Sequence, residues 1–169
     1  VQTGERAYLT LPASESLMEA RETLTLLTWI APQVPVQRHT YADFFTKGDY
    51  TLMKMEGPES LVFFAGGWGR GMCEVRVPED WYTAWHQIAG VCTGESLKIY
   101  IDGRCVQEIA VSGVLEATEV PWNIGRNAEM PFSRFSSMRF SGTCIYGTAL
   151  SDQDIEALYR AEKERYQSE

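Results

Sequence analysis

The feature that most constrains the fold is a long succession of short strand-like runs separated by turn residues. Between residues 7 and 142, apolar or alternating runs are followed by segments that contain Gly, Pro, Asp and Ser. No helical pattern separates these runs, and a parallel α/β sheet would require helices between its strands. The pattern therefore predicts an all-β protein, built as an antiparallel sandwich or barrel.

The clearest turn signal is the pair Asp102 and Gly103. It follows a run at residues 97–101 whose odd-numbered members are apolar and whose even-numbered members are Lys and Tyr. Alternation of this kind places the two sets on opposite faces of a strand. A type I′ turn requires positive φ at both central residues, which Asp and Gly tolerate. We predict a β-hairpin centred on this pair.

The last part of the chain changes to a helical period. Ser151 and Asp154 form a capping-box pattern at its start. The apolar residues that then share one side are Ile155, Leu158, Tyr159 and Tyr166. We predict a short C-terminal helix that packs on the edge of the sandwich, with the domain spanning residues 1–160. Residues 161–169 are expected to be either a weakly docked helical extension or a charged linker.

Composition restricts the classes of partner. A chain of 169 residues fits one domain, and its net charge of −8 disfavours nucleic acids and anionic membranes, which bind clustered Lys and Arg. The longest apolar run, around residues 24–30, is too short to span a bilayer. The first residues, VQTG, lack the pattern of a signal peptide, so we expect a fragment of a longer polypeptide.

Cysteine and histidine spacing gives no metal-site pattern. The cysteines are Cys73, Cys92, Cys105 and Cys144, and no two of them form a CxxC pair. The two histidines, His39 and His86, are distant from them in sequence. An even number of cysteines permits disulfides without requiring them. We predict mostly buried or strand-embedded thiols, no metal ligands and no cofactor.

Patterns for catalysis are also missing from the sequence. Retaining glycoside hydrolysis needs two carboxylates about 5 Å apart, which on a strand requires an even spacing. Glu116 and Glu119 have an odd spacing, which would place them on opposite faces. The glycine-rich segment at residues 66–71 lacks the spacing and the following helix of a phosphate-binding loop. We expect no catalytic residues.

Aromatic residues in predicted loops are the best binding candidates. Trp68 is flanked by glycines and followed by Arg70, whereas Trp81 and Tyr82 lie in a loop that begins with a proline. Sugars stack their apolar faces on aromatic rings, and charged side chains bind their hydroxyls. We predict that these four residues bind carbohydrate, with Trp122 as a weaker additional candidate. For Trp68 the alternative is a plug folded back on the core.

Several segments together resemble a known family. The central ones are WHQIAGV at residues 85–91 and LKIYIDG at residues 97–103. Further matching segments lie at residues 24–32, 46–50, 124–126 and 145–159. In order and spacing they resemble laminin G-like domains of the concanavalin A-like superfamily. The resemblance implies a two-sheet antiparallel jelly-roll sandwich with a short C-terminal helix. It also implies that Trp29 and Trp85 are core residues and that His86 is structural.

The stretch at residues 121–129 resembles modules of this kind attached to bacterial glycoside hydrolases, particularly the β-galactosidase type. This implies a non-catalytic, lectin-like module of a secreted, periplasmic or cell-surface enzyme. Its partners would be a glycan or polysaccharide and the catalytic domain of the same chain. The alternative is a structural module that packs between domains and binds no sugar. Calcium-binding relatives often have an acidic residue where this chain has Ser141, so no calcium site is expected.

Overall fold

A computed structural model describes residues 1–3, 7–12, 14–19 and 22–167. Its strands are β1 (Gln2–Thr3), β2 (Leu9–Thr10), β3 (Leu24–Pro32), β4 (Tyr41–Lys47), β5 (Thr51–Glu56), β6 (Ser60–Ala65), β7 (Cys73–Arg76), β8 (His86–Cys92), β9 (Ser96–Ile101), β10 (Arg104–Ala110), β11 (Asn123–Ile124) and β12 (Met138–Tyr146). Its helices are α1 (Glu15–Met18) and α2 (Asp152–Gln167), with a single 3₁₀ turn at Trp68–Arg70. Within these described residues, no helix is long and apolar enough to cross a membrane.

The strands form two six-stranded sheets. The first sheet has the order β1-β12-β3-β8-β9-β10, and the second has the order β2-β11-β4-β5-β6-β7. Neighbouring strands within each sheet pair antiparallel. The prediction of an all-β, two-sheet antiparallel sandwich with a C-terminal helix is confirmed.

The core lies between the two sheets, where their inner faces approach closely. A Cβ atom added to Gly90 would lie 2.6 Å from the ring of Phe63 and 2.8 Å from the methyl group of Met53. Only glycine therefore fits on β8 opposite these two side chains of the second sheet. Leu97 and Ile99 of β9 are fully buried in the same core, as the alternation in the sequence predicts.

Both local signals that the sequence analysis identified are present in the structure. Asp102 and Gly103 have φ angles of 51° and 77°, and they connect the antiparallel strands β9 and β10. At the start of α2, the Asp154 amide donates to Ser151 Oγ (3.1 Å), and the Ser151 amide donates to Asp154 Oδ2 (3.0 Å). The predicted hairpin and the predicted capping box are confirmed.

Helix α2 packs on the outer face of the first sheet, and not on the edge of the sandwich as predicted. Near its end, the ring of Tyr166 stacks on Trp29 with centroids 4.2 Å apart, and its hydroxyl donates to Ser141 Oγ (2.9 Å). One turn earlier, Glu162 Oε2 accepts a hydrogen bond from Trp29 Nε1 (2.7 Å). The helix continues past residue 160 to Gln167, so residues 161–167 are helical, and residues 168–169 lie outside the described residues. The expectation of weak docking is wrong, because the end of the helix contacts Trp29 in two ways. Tyr166 stacks on the indole ring, and Glu162 accepts a hydrogen bond from the indole N–H.

All four cysteines lie in strands as free thiols. Cys73 and Cys92 are buried, Cys144 is half-buried and Cys105 is exposed on the edge strand β10. The prediction of mostly buried or strand-embedded thiols is confirmed. Burial raises the pKa of the Cys73 thiol to about 11, which keeps it protonated at neutral pH.

Candidate functional site

The loop at residues 66–71 joins β6 to β7 at one end of the sandwich, here called the Trp68 end. Gly66 and Gly67 have φ angles of 88° and 84°, a region that glycine adopts without strain. The Gly67 amide donates to the Tyr50 carbonyl (2.7 Å), which ties the loop to the β4–β5 hairpin. The chain then closes a 3₁₀ turn with an Arg70 amide to Gly67 carbonyl bond of 3.1 Å. The segment is a compact turn and not an open loop.

Trp68 projects from this turn into solvent. Its exposed fraction is 70%, whereas Trp29, Trp81 and Trp122 are 4% exposed or less. Of the two alternatives for Trp68, the structure therefore shows the exposed ring and not the core plug. Trp122 is buried against Phe45 at a centroid distance of 5.2 Å, so its ring is not accessible to a ligand.

The Arg70 guanidinium anchors the turn to neighbouring backbone segments. Arginine has five N–H donors in a planar fork. In this structure Nε and the two terminal nitrogens reach four backbone carbonyls and one thiol, which belong to Ala65, Cys92, Gly94, Ser112 and Gly113. The guanidinium thereby joins the turn to the β8–β9 turn and to the segment after β10. The predicted contact between Arg70 and sugar hydroxyls is corrected to this anchoring role, because its donors are already used.

Trp81 lies in the loop between β7 and β8, at the opposite end of the sandwich, here called the Trp81 end. It is 1% exposed, and its ring stacks on His86 (centroids 5.2 Å apart) and contacts Phe44 (6.4 Å). The prediction that this loop exposes Trp81 is wrong. The Ala84 amide bonds the Asp80 carbonyl (3.0 Å), and this tight turn directs the indole inward, where it closes the gap between the sheets.

Tyr82 is half-buried beside Trp81. Its hydroxyl donates to the Pro58 carbonyl (2.7 Å), and burial raises the pKa of its phenol. This end is separated from the Trp68 end by the length of β6, which is roughly 17 Å for a six-residue strand. The four residues predicted from the sequence therefore do not form one surface. Of these four residues, only Trp68 presents a freely exposed ring.

His86 occupies the structural role that the resemblance implies. It is 3% exposed, its Nδ1 lies 2.8 Å from Asp102 Oδ2, and its Nε2 lies 3.6 Å from Asp80 Oδ1. Burial acts to lower the pKa of His86, but its hydrogen bond to the Asp102 carboxylate and the charges of Asp102 and Asp80 outweigh it. The net effect raises the pKa. Asp102 also accepts a bond from the Gln87 amide (3.0 Å), so the hairpin turn and the histidine support each other.

Other candidate chemistry does not assemble into a site. Within the described residues, no group of three His, Cys, Asp or Glu side chains is placed to hold a metal ion. Ser141, at the position where relatives often have an acid, accepts a hydrogen bond from Tyr166. Glu116 and Glu119 are exposed in the irregular segment between β10 and β11. No pair of carboxylates among them forms the strand-face arrangement of a glycosidase.

The sheet order and these geometries can be compared with known proteins. A laminin G-type family model, described as the concanavalin A-like lectin/glucanases superfamily, matches residues 3–156. The chain belongs to this superfamily. No curated protein sequence matches the chain.

Several solved structures share this concanavalin A-like fold. One concerns botulinum neurotoxin type C, whose cell entry is described as dependent on interaction with two ganglioside molecules (TM-score 0.73, 14% identity, 95% of this chain and 41% of that one). The binding domain of botulinum neurotoxin serotype G aligns with a TM-score of 0.73 at 11% identity, over 96% of this chain and 42% of that one. The binding domain of Paraclostridial Mosquitocidal Protein 1 aligns with a TM-score of 0.72 at 14% identity, over 94% and 42%. The chain thus spans about two fifths of these proteins, and at such identities the likeness shows the fold alone.

Two exposed apolar side chains near the Arg70 anchor were not predicted from the sequence. Met72 is 43% exposed and Val114 is 58% exposed, and they lie on the two segments that Arg70 ties together. The sequence signal for Val114 is weak, because it is one apolar residue in an irregular segment. Its segment is connected to the Trp68 turn by the bonds of Arg70 to Ser112 and Gly113.

Proposed function

We propose that this chain is a non-catalytic carbohydrate-binding module and that Trp68 supplies its sugar-contacting surface. The observation that carries the proposal is the 70% exposed indole on a turn that Arg70 fixes in place. An exposed ring offers a face on which the C–H groups of a sugar stack. Because the turn is already ordered, binding loses little conformational entropy.

Membership of the concanavalin A-like superfamily supports this proposal at the level of the scaffold. Two of the solved structures that resemble the chain are described as binding domains, and the description of a third names gangliosides as the interacting molecules. One fold hosts many functions, and this chain covers only about two fifths of those proteins. Sugar binding by this chain is therefore inferred from the exposed ring of Trp68.

We also propose that the module belongs to a larger glycoside hydrolase of the β-galactosidase type, acting outside the cytoplasm or at the cell surface. The support is the resemblance of residues 121–129 to modules attached to such enzymes. The full-length reading frame tests this directly. A glycoside hydrolase domain in the same polypeptide is expected, and its absence would reject the enzyme context without affecting the Trp68 proposal.

The binding test uses the 169-residue chain against neutral galactosides, β-glucans and glycoprotein glycans on an array, followed by calorimetry. Trp68→Ala should weaken the Kd of a bound glycan about tenfold or somewhat more, since stacking on one aromatic ring contributes about 1–3 kcal/mol. Trp68→Phe keeps a stacking face and should retain most of the affinity. Unchanged affinity in Trp68→Ala would reject this residue as the contact surface.

A second function is favoured by one specific observation. Trp68, Met72 and Val114 are all exposed apolar side chains on segments held together by Arg70. Contiguous exposed apolar surface marks protein interfaces as well as ligand sites. In that case the module packs against the catalytic domain of its own chain and binds no sugar. Absence of glycan binding, together with weaker association with that domain in Trp68→Ala and Met72→Ala, would support this alternative.

A further inference from the structure

Phe132 is the most exposed of the large apolar side chains among the described residues. Its exposed fraction is 96%, against 70% for Trp68. It lies in the irregular segment between β11 and β12. Single exposed apolar residues are common on protein surfaces, so the position of this ring on the fold decides whether it marks a site.

The Phe132 ring is presented by a short ordered turn. The Met130 amide donates to the Asn127 carbonyl (3.1 Å), and the Ser133 amide donates to the Met130 carbonyl (3.2 Å). Pro131 and Phe132 are therefore the central residues of a four-residue turn. Proline favours the first of these positions because its ring fixes φ. The turn at residues 130–133 is here called the Phe132 turn.

Arg134, directly after the Phe132 turn, fixes it to the second sheet. Its Nε lies 2.9 Å from Oδ2 of the buried Asp43, and its Nη1 lies 2.9 Å from Asp49 Oδ1. The φ angle of Arg134 is 65°, a left-handed conformation that residues other than glycine adopt rarely. Two carboxylates hold it in this conformation. The Phe132 turn is thus built like the Trp68 turn, with an exposed ring at its tip and a bonded arginine beside it.

Both turns are bonded to the β4–β5 hairpin, at consecutive residues. The Asp49 amide donates to Glu129 Oε2 (2.6 Å), at the start of one turn. The Tyr50 carbonyl accepts a hydrogen bond from the Gly67 amide (2.7 Å), at the start of the other. The Cα atoms of consecutive residues are about 3.8 Å apart. The two exposed rings therefore lie on neighbouring turns at the same end of the sandwich.

The charges beside the two turns restrict the class of ligand. Glu116 and Glu129 are exposed, and the Glu116 amide donates to the Tyr50 hydroxyl on the same hairpin. The guanidinium groups of Arg70 and Arg134 already bond backbone carbonyls and carboxylates. Exposed carboxylates repel a sulfated or uronic acid glycan, but they accept hydrogen bonds from sugar hydroxyls. This surface fits a neutral glycan.

We propose that Trp68 and Phe132 together bind one neutral oligosaccharide chain, with a sugar residue stacked on each ring. This inference rests on the proposed function of Trp68 and extends it, because it defines the ligand as a neutral chain long enough to reach both turns. A second contact within one ligand forms at high effective concentration once the first is made. Affinity should therefore rise with chain length until both rings are contacted.

The test uses two series of linear oligosaccharides, β-1,4-linked galactose and β-1,4-linked glucose, from the disaccharide to the octasaccharide, with affinity measured by calorimetry. In at least one series the wild type should bind the octasaccharide about tenfold more tightly than the disaccharide. Phe132→Ala should remove this gain and leave the Kd of the disaccharide within about twofold of the wild type. Phe132→Tyr keeps a stacking face and should retain the gain. Because the ring is 96% exposed, both variants should fold with unchanged melting temperature.

The matched control is Val34→Ala, since Val34 is an exposed apolar residue (59%) that follows β3 at the Trp81 end. It should bind every oligosaccharide like the wild type. Trp68→Ala should weaken binding of the disaccharide and the octasaccharide alike. Full affinity for the octasaccharide in Phe132→Ala, or affinity independent of chain length, would overturn the inference while leaving the Trp68 proposal intact. Unchanged binding in Trp68→Ala would reject the Trp68 proposal, and a wild type that binds neither series would reject both.

Discussion

The two ends of the sandwich carry tryptophans that look alike in sequence but have opposite environments. Trp68 follows glycines and is 70% exposed, whereas Trp81 follows a proline-led turn and is 1% exposed. At both ends, the space between the two sheets has to be closed by a side chain. Trp81 closes it at one end by packing on His86 and Phe44.

At the Trp68 end, a different side chain fills the equivalent position. The stem of Arg70 lies under the turn, so that a Cβ atom added to Gly66 would meet Arg70 Cδ at 2.8 Å and a methyl group of Leu115 at 3.3 Å. Since Arg70 and Leu115 already occupy this space, the indole of Trp68 stays outside. Exposure of a loop aromatic therefore depends on whether another residue has already filled the end of the core.

The largest effect is expected at the buried end. Trp81→Ala should lower the free energy of unfolding by about 3–5 kcal/mol, because it leaves a cavity where the indole closes the core. Equilibrium urea denaturation followed by far-ultraviolet circular dichroism measures this change. Trp81→Phe keeps most of the volume and should lose considerably less. A loss below about 1 kcal/mol in Trp81→Ala would remove the distinction between the two ends.

The next-largest effect is expected at the Trp68 end, from loss of the anchoring residue Arg70. Arg70→Gln should lower the free energy of unfolding by about 2–3 kcal/mol, because several backbone carbonyls lose a charged donor. Arg70→Lys keeps the charge but not the planar fork, so it should restore only a small part of the loss. Urea denaturation of the three proteins under identical conditions gives the comparison. Full rescue by lysine would show that charge, and not the five-donor geometry, holds the turn.

Regular elements were predictable from the sequence, because their signals are local. The alternation in β9, the Asp102–Gly103 pair and the capping box at Ser151 each depend on residues within a few positions of one another, and the structure contains all three. Whether Trp68 and Trp81 are exposed or buried depends on contacts between residues that are distant in sequence. Arg70 bonds carbonyls up to 43 residues away, and no spacing rule reveals such a contact. The docking of Tyr166 on Trp29 was missed for the same reason.

A smaller effect is expected from pH at the Trp81 end, where stability should decrease as pH rises. The pKa of His86 is raised above its ordinary value by Asp102 and Asp80, although burial opposes the shift. Protonated His86 therefore contributes stability that is fully present below about pH 6.5, the ordinary histidine pKa, and is lost as pH rises through the higher folded-state pKa. Melting temperatures measured from pH 5.5 to about 8.5 should show this decline in the wild type.

The variant Asp80→Asn removes one of the two charges that raise the pKa of His86. It should make the decline with pH shallower, while leaving Asp102 and the hairpin in place. Asp43 has a pKa raised by burial to about 6 and titrates over part of the same range, but it is present in both proteins and cancels in the comparison. An identical pH profile for wild type and Asp80→Asn would show that Asp80 does not act on His86.

The smallest effect on stability is expected from Trp68, and it completes the comparison. An aromatic ring that is 70% exposed has few contacts to lose, so Trp68→Ala should change the free energy of unfolding by no more than about 0.5 kcal/mol. The same urea denaturation that is used for Trp81→Ala measures it, and the two tryptophans should differ by at least about 2.5 kcal/mol. The turn itself should be preserved, because Arg70 and the Gly67–Tyr50 bond hold it without any contribution from the indole. If Trp68→Ala instead cost about 3–5 kcal/mol, the ring would be part of the core in solution. Both ends would then be closed by tryptophan, and the module would have no exposed aromatic surface at this position for a sugar.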